Sequence, residues 1–139
     1  MSLGVAEGAY EAALRFATTR EQFGQAIAHK QAIQFYLADM ATEIEALRSL
    51  VYRAAWAADS GQPLVRLAAM AKLYGSEVAY RVSNKAVQIH GGSGYVRDFP
   101  MERIYRDARA ARILEGTSEI QRYVIAADIL RERQIEIEP

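Results

Sequence analysis

Residues 33–51, Ile33-Gln34-Phe35-Tyr36-Leu37-Ala38-Asp39-Met40-Ala41-Thr42-Glu43-Ile44-Glu45-Ala46-Leu47-Arg48-Ser49-Leu50-Val51, decide the fold class. Ile33, Leu37, Met40, Ile44, Leu47 and Val51 recur every three or four positions and stack on one helical face, while Asp39 and Glu43 fall off that stripe. The pattern ends at Asp59-Ser60-Gly61-Gln62-Pro63, residues that close a helix. Downstream, Leu67, Ala71, Tyr74, Val78, Val82, Ala86 and Ile89 predict a helix over 64–90, stopped by Gly91-Gly92-Ser93-Gly94. Upstream, Val5, Ala9, Ala12 and Phe16 predict one over 4–18 that dissolves at Thr18-Thr19. Pro100 suits the first turn of a shorter helix reaching about Ala111, since its missing N–H is not needed there. Thr117 or Ser118 can cap a last helix carrying Ile120, Val124, Ala127 and Leu130. The expected fold is all-α, an antiparallel up-and-down four-helix bundle with an extra short helix. Residues 4–131 read as the domain, 132–139 as a polar tail fraying from Arg131, and Met1-Ser2-Leu3 as an added leader on a domain cut from a longer chain.

With 139 residues, of which 51% are apolar and 24% charged, the chain suffices for one domain with a real core and excludes a disordered or fibrous protein. Lys plus Arg and Asp plus Glu number 17 each, so no global field gathers nucleic acid or an anionic membrane. Cysteine is absent, which removes disulfides, a thiolate nucleophile and cysteine metal sites and fits an intracellular protein. No apolar run approaches the roughly 18 residues of a membrane span, and no signal peptide precedes the first helix.

Four features offer chemistry. Gly91-Gly92-Ser93-Gly94-Tyr95 reads first as a helix C-cap and tight turn, and second as backbone left open for a cofactor. His29 and His90 lack partners at metal-ligand spacing. Arg103, Arg106, Arg109 and Arg112 fan across a helix surface, either a solvated face paired with Glu102 and Asp107 or a phosphate-binding one. Glu115, followed by Gly116 at a helix junction, is a solvated loop acid or a base.

Three separated segments decide among these readings. Thr19-Arg20-Glu21-Gln22-Phe23-Gly24, Gln88-Ile89-His90-Gly91-Gly92-Ser93-Gly94-Tyr95 and Leu114-Glu115-Gly116-Thr117-Ser118-Glu119-Ile120-Gln121-Arg122, in this order, resemble the acyl-CoA dehydrogenase family. Gln31-Ala32-Ile33-Gln34-Phe35 and Arg103-Ile104-Tyr105-Arg106-Asp107-Ala108-Arg109 extend the likeness over essentially the whole chain. The resemblance implies the C-terminal helical bundle of a flavoenzyme, with FAD held partly by the bundle of a neighbouring subunit. Arg20 then matches the residue pairing with the FAD pyrophosphate across that interface, with Gln22 and Phe23 beside it and Gln88 and Gly92 on the nucleotide. Thr117 and Glu119 match cofactor contacts at the start of the last helix, although some members carry a neutral Gln at position 119.

Glu115 matches the base that takes the α-proton of an acyl-CoA thioester, from a dry crevice between two helices, with Leu114 and Gly116 against the substrate. The implied partners are acyl-CoA, an electron-transferring flavoprotein as electron acceptor, and further copies in a homodimer or homotetramer, without membrane or nucleic acid. The implied compartment is the cytoplasm, or the mitochondrial matrix in a eukaryote. No metal is implied. The competing readings are a bundle serving only oligomerisation or interaction, and a DNA-associated relative of the family.

Overall fold

Ala6, Ala9, Ala13 and Ala17 are completely buried, and this small-residue face seats the first helix, α1 (Ser2–Thr19), on the centre of the molecule. With only methyl groups between them, two helix backbones approach closely. The computed structural model describes residues 1–135. A short hairpin, β1 (Glu21–Gln22) and β2 (Gln25–Ala26), and a 3₁₀ turn (Ile27–His29) lead into α2 (Gln31–Asp59). There follow α3 (Val65–His90), a second 3₁₀ turn (Gly91–Gly94), α4 (Met101–Ala110) and α5 (Ser118–Glu132).

Cross-helix pairs give the directions. Arg81 and Lys85 of α3 meet Glu43 and Asp39 of α2, an antiparallel match. Gly75 lies against Ser2 and His90 against Phe16, so α1 runs parallel to α3. Tyr80 meets Tyr105 of α4, whereas Arg66 meets Asp128 and Glu132 of α5. Both short helices therefore run antiparallel to α3, one above the other. The expected extra helix is the upper half of a broken fourth column, and the break falls at residues 111–117. All four other helices pack on α3.

The stripes of α2 and α3 form the core as read from the sequence: Met40, Ile44, Leu47, Val78, Val82, Ala86 and Ile89 are buried, with Ile33, Leu37, Val51 and Tyr74 packed against them. Three expectations shift. Helix α1 starts at Ser2 rather than residue 4, with Leu3 packed on the core, and its buried centre is the alanine face rather than Val5 and Phe16. Ile120 of α5 is exposed, because α5 meets only one side of the bundle and buries just Ser118 completely. Fraying does not begin at Arg131, since Glu132 is still helical and takes two 2.8 Å hydrogen bonds from Arg66. Residues 136–139 of the expected polar tail lie outside the described residues.

The upper end of the core is closed by aromatic stacking. His90 lies 4.3 Å from Phe16, centroid to centroid, and meets Phe99 edge-on at 6.3 Å. Its Nδ1–H donates to the Ala86 carbonyl at 2.8 Å. Burial pushes the imidazole below the usual histidine range, opposed by that hydrogen bond.

Leu47→Ala is expected to cost about 2–5 kcal/mol by cavity formation, and Ala13→Leu about 1–3 kcal/mol by overpacking between α1 and α3, both read from urea unfolding. The folded state disfavours protonated His90, so its contribution is intact above pH ~6.5 and declines as pH falls through that value toward the lower folded pKa. The melting temperature should therefore drop more between pH 7.5 and 5.5 in the natural chain than in His90→Gln; equal drops would show that protonating His90 costs nothing.

Candidate functional site

Two short sequences far apart in the chain meet at the upper end of the bundle. Arg20, Gln22 and Phe23 leave the end of α1, Gln88 and Gly92 come from the end of α3 and its turn, and all five line one cleft of about 580 Å³. Phe16, Ile27, Ile33, Ile89 and His90 form its apolar parts, and Lys30 adds a second cation to Arg20. No lining residue is acidic. Such a cleft suits an anionic ligand that also carries flat apolar surface.

The hairpin tip is built under strain. Phe23 has φ +53° and Gly24 φ +79°, the pair of positive values that a two-residue hairpin turn demands, and Gly24 meets it without penalty while Phe23 does not. The Phe23 ring is nevertheless 93% exposed, so burial does not compensate for placing an aromatic residue there. Gly92 shows a related signature. Its φ is not positive and a Cβ would touch nothing within 4 Å, so the chain's own packing does not require glycine. At Gly94, by contrast, a Cβ would lie 2.8 Å from the Val87 carbonyl.

Glu115 lies elsewhere. Along α3, Lys72 and Gln88 are about 24 Å apart at 1.5 Å per residue, and Glu115 belongs with the Lys72 end. Together with Leu114 it borders a second cavity of about 250 Å³, walled by Leu3, Leu47, Val51, Ala71 and Gly75. The five residues of the upper cleft are thus brought together, and Leu114, Glu115, Gly116, Thr117 and Glu119 form a separate group at the break. Within this chain Glu115 is exposed, because α1, α2 and α3 wall this cavity from one side only; the dry crevice is an expectation for the assembled protein.

The break is anchored from α3. Glu77 accepts from Arg112 Nε at 3.0 Å and from Ser118 Oγ at 2.9 Å, gripping the bend on both sides. Lys72 Nζ donates to the Gly116 carbonyl. Arg112 lies 5.2 Å from the Tyr80 ring centre, and its carbonyl accepts from the Ser118 N–H. Within this frame Glu115 takes φ +55° and Gly116 φ +92°. A Cβ on Gly116 would sit 2.6 Å from Gln121 Nε2, which itself donates to the Glu115 carbonyl at 3.3 Å. Among the described residues the Glu115 N–H has no backbone acceptor and remains free to donate.

Thr117 caps α5, its Oγ1 accepting from the Ile120 N–H at 3.3 Å. The carboxylate of Glu119 is held below the usual range by its own backbone N–H and the Thr117 hydroxyl. The arginine fan is half neutralised: Arg106 pairs with Glu102 as expected, and Arg112 turns inward to Glu77 rather than pairing with Asp107.

Sequence reasoning missed Lys30, Lys72 and Glu77, and weighed His90 only as a metal ligand. Lys30 had one local signal, its place directly before the second helix. Glu77 had none, since Arg112 and Ser118 are 35 and 41 residues away.

Relief of the left-handed strain makes Glu115→Gly more stable than the natural chain by about 1 kcal/mol in denaturant unfolding. Gly116→Ala loses about 1–3 kcal/mol, having neither the conformation nor the space for a methyl. A destabilised Glu115→Gly would mean that the bend carries no strain at this residue.

Comparison with known proteins identifies the family. The family model "Acyl-CoA dehydrogenase, C-terminal domain" matches residues 1–130. The probable acyl-CoA dehydrogenase YngJ of Bacillus subtilis is 52% identical over 131 residues, covering 94% of this chain and 34% of the relative. The caffeyl-CoA reductase-Etf complex subunit CarC of Acetobacterium woodii is 48% identical, covering 94% of this chain and 34% of its own length. Among solved structures, butyryl-CoA dehydrogenase from Megasphaera elsdenii superposes with a TM-score of 0.91 at 45% identity, over 94% of this chain and 34% of that one. The chain spans about a third of the length of the curated relatives it matches. The chain belongs to the acyl-CoA dehydrogenase C-terminal domain family.

Proposed function

We propose that this chain is the C-terminal bundle of an FAD-dependent acyl-CoA dehydrogenase, removing hydrogen from the α and β carbons of an acyl-CoA thioester to give a trans-2-enoyl-CoA. The observation that carries the reading is Glu115, an acid held in a left-handed backbone conformation at a bend that three α3 contacts fix, beside an apolar cavity. Strain of this kind persists where the surroundings over-determine it, and such residues cluster at active sites.

The cofactor fits the residues present. The upper cleft carries Arg20 and Lys30 without an acid, a bare turn at Gly92 and an exposed aromatic ring at Phe23. Arg20 would pair with the FAD pyrophosphate, Gln22 and Phe23 would flank it, and Gln88 and Gly92 would meet the nucleotide. FAD bound in the assembled protein would accept the hydride from the β carbon.

Glu115 takes the α proton onto its carboxylate. Its free backbone N–H is available to the thioester carbonyl, where negative charge develops as the proton leaves. Leu114, which lines the cavity, and Gly116 two residues on would border the acyl chain. Thr117 and Glu119 lie beside the same bend, at the start of α5, positions that suit cofactor contact.

In line with the family resemblance, the cleft would hold the FAD of a neighbouring subunit while Glu115 would face the FAD of its own, in a homodimer or homotetramer; the separation of the two sites, about 24 Å between Lys72 and Gln88 along α3, is compatible with that division. Phe35, Tyr52 and Trp56 of α2, each more than half exposed, supply apolar surface for assembly. An electron-transferring flavoprotein is the electron acceptor of this reading, in the cytoplasm or, in a eukaryote, the mitochondrial matrix. No described helix is long and apolar enough to cross a membrane.

In the full-length enzyme, Glu115→Gln is expected to lower the rate of flavin bleaching by acyl-CoA under anaerobic conditions by about 10²-fold or more while leaving flavin content unchanged. Turnover within a few-fold of the natural enzyme would remove Glu115 from the reaction.

A further inference from the structure

Lys30 shares the upper cleft with Arg20, and its position is fixed before any ligand arrives. It links the 3₁₀ turn to α2: its N–H donates to the Ile27 carbonyl at 2.9 Å, and its own carbonyl accepts from Ile33 and Gln34 at 3.0 and 3.1 Å. The residue is half-buried, in a cleft with Phe16, Ile27 and Ile33 in its walls. Among the described residues neither Lys30 nor Arg20 has a carboxylate within 4 Å, and the cleft they share has no acidic lining residue. What Lys30 has instead is the face of Phe23, with Nζ 5.6 Å from the ring centre, a weak partner at an exposed site. Two cations lining one cleft without an acid between them can both meet an anion there.

We propose that Lys30 is the second cation of a diphosphate clamp, leaving the Phe23 ring to close with Arg20 on two adjacent phosphate groups. The proposal rests on reading the upper cleft as the site of the FAD diphosphate and goes further by making it selective for two phosphates over one. The planar Arg20 fork can take a single phosphate bidentately, while the Lys30 ammonium acts as a point charge. A ligand with charge at both positions is then favoured over one that satisfies only the guanidinium.

The test titrates the isotope-labelled 139-residue chain with ADP and with AMP at millimolar concentration, following the amide signals of Lys30, Gly91 and Gly92. The natural chain is expected to prefer ADP by about three- to fivefold, in line with one added ion pair. Lys30→Met should lose that preference, with AMP affinity held within about twofold, and Lys30→Arg should keep it. Circular dichroism checks that each variant is folded, and Lys30→Gln repeats the measurement if Lys30→Met is not. Natural ADP affinity and selectivity in a folded Lys30 variant, with both nucleotides lost in Arg20→Met, overturns the clamp and leaves the cleft reading standing. No signal change with either nucleotide in the natural chain overturns both.

Discussion

Glu77 accepts hydrogen bonds from Arg112, at the start of the break in the fourth column, and from Ser118, the first residue after it. Without that carboxylate the chain after α4 and the start of α5 lose their common anchor on α3. Lys72 on the Gly116 carbonyl and the Arg112 guanidinium over Tyr80 complete the frame. Glu77 and Arg112 are both largely shielded, with side chains 18% and 29% exposed, so removing either partner would leave the other charge poorly solvated. Everything said of Glu115 depends on this frame, because the left-handed backbone at 115 and 116 is tolerated only where neighbouring contacts outweigh its cost.

Much of the fold was legible because it is helical and local. The α2 and α3 stripes carry large apolar side chains at regular spacing, and burial follows that spacing at Met40, Leu47, Val78 and Val82. Helix α1 was harder. Its buried residues are alanines, whose weak hydrophobic signal is outweighed in sequence by Val5 and Phe16, although the alanines set the distance to α3. The split of the fourth column into α4 and α5 was legible as two helices, but not that they share one column. That follows from pairs such as Tyr80 with Tyr105 and Arg66 with Asp128, which join residues 25 or more apart in sequence.

The candidate site divides in the same way. Arg20, Gln22, Phe23, Gln88 and Gly92 were named from motif likeness, and the fold gathers them in one cleft because α1 and α3 run parallel and end side by side. The exposure of Glu115 could not be read from residue type or spacing, since it depends on which elements wall the bend. Lys30 and Glu77 escaped because a lysine or glutamate on a polar helix face looks like a solvated one until its distant neighbours are known.

The distance between the two cavities along α3 has a genetic consequence under the proposed assembly. A lesion at Arg20 spares the Glu115 half of the same polypeptide, and a lesion at Glu115 spares the Arg20 half. In a mixed pair of one such chain with the other, one of the two composite centres unites the intact halves and the second unites the damaged ones. Two alleles that are each null when alone would then partly rescue one another in a cell that carries both.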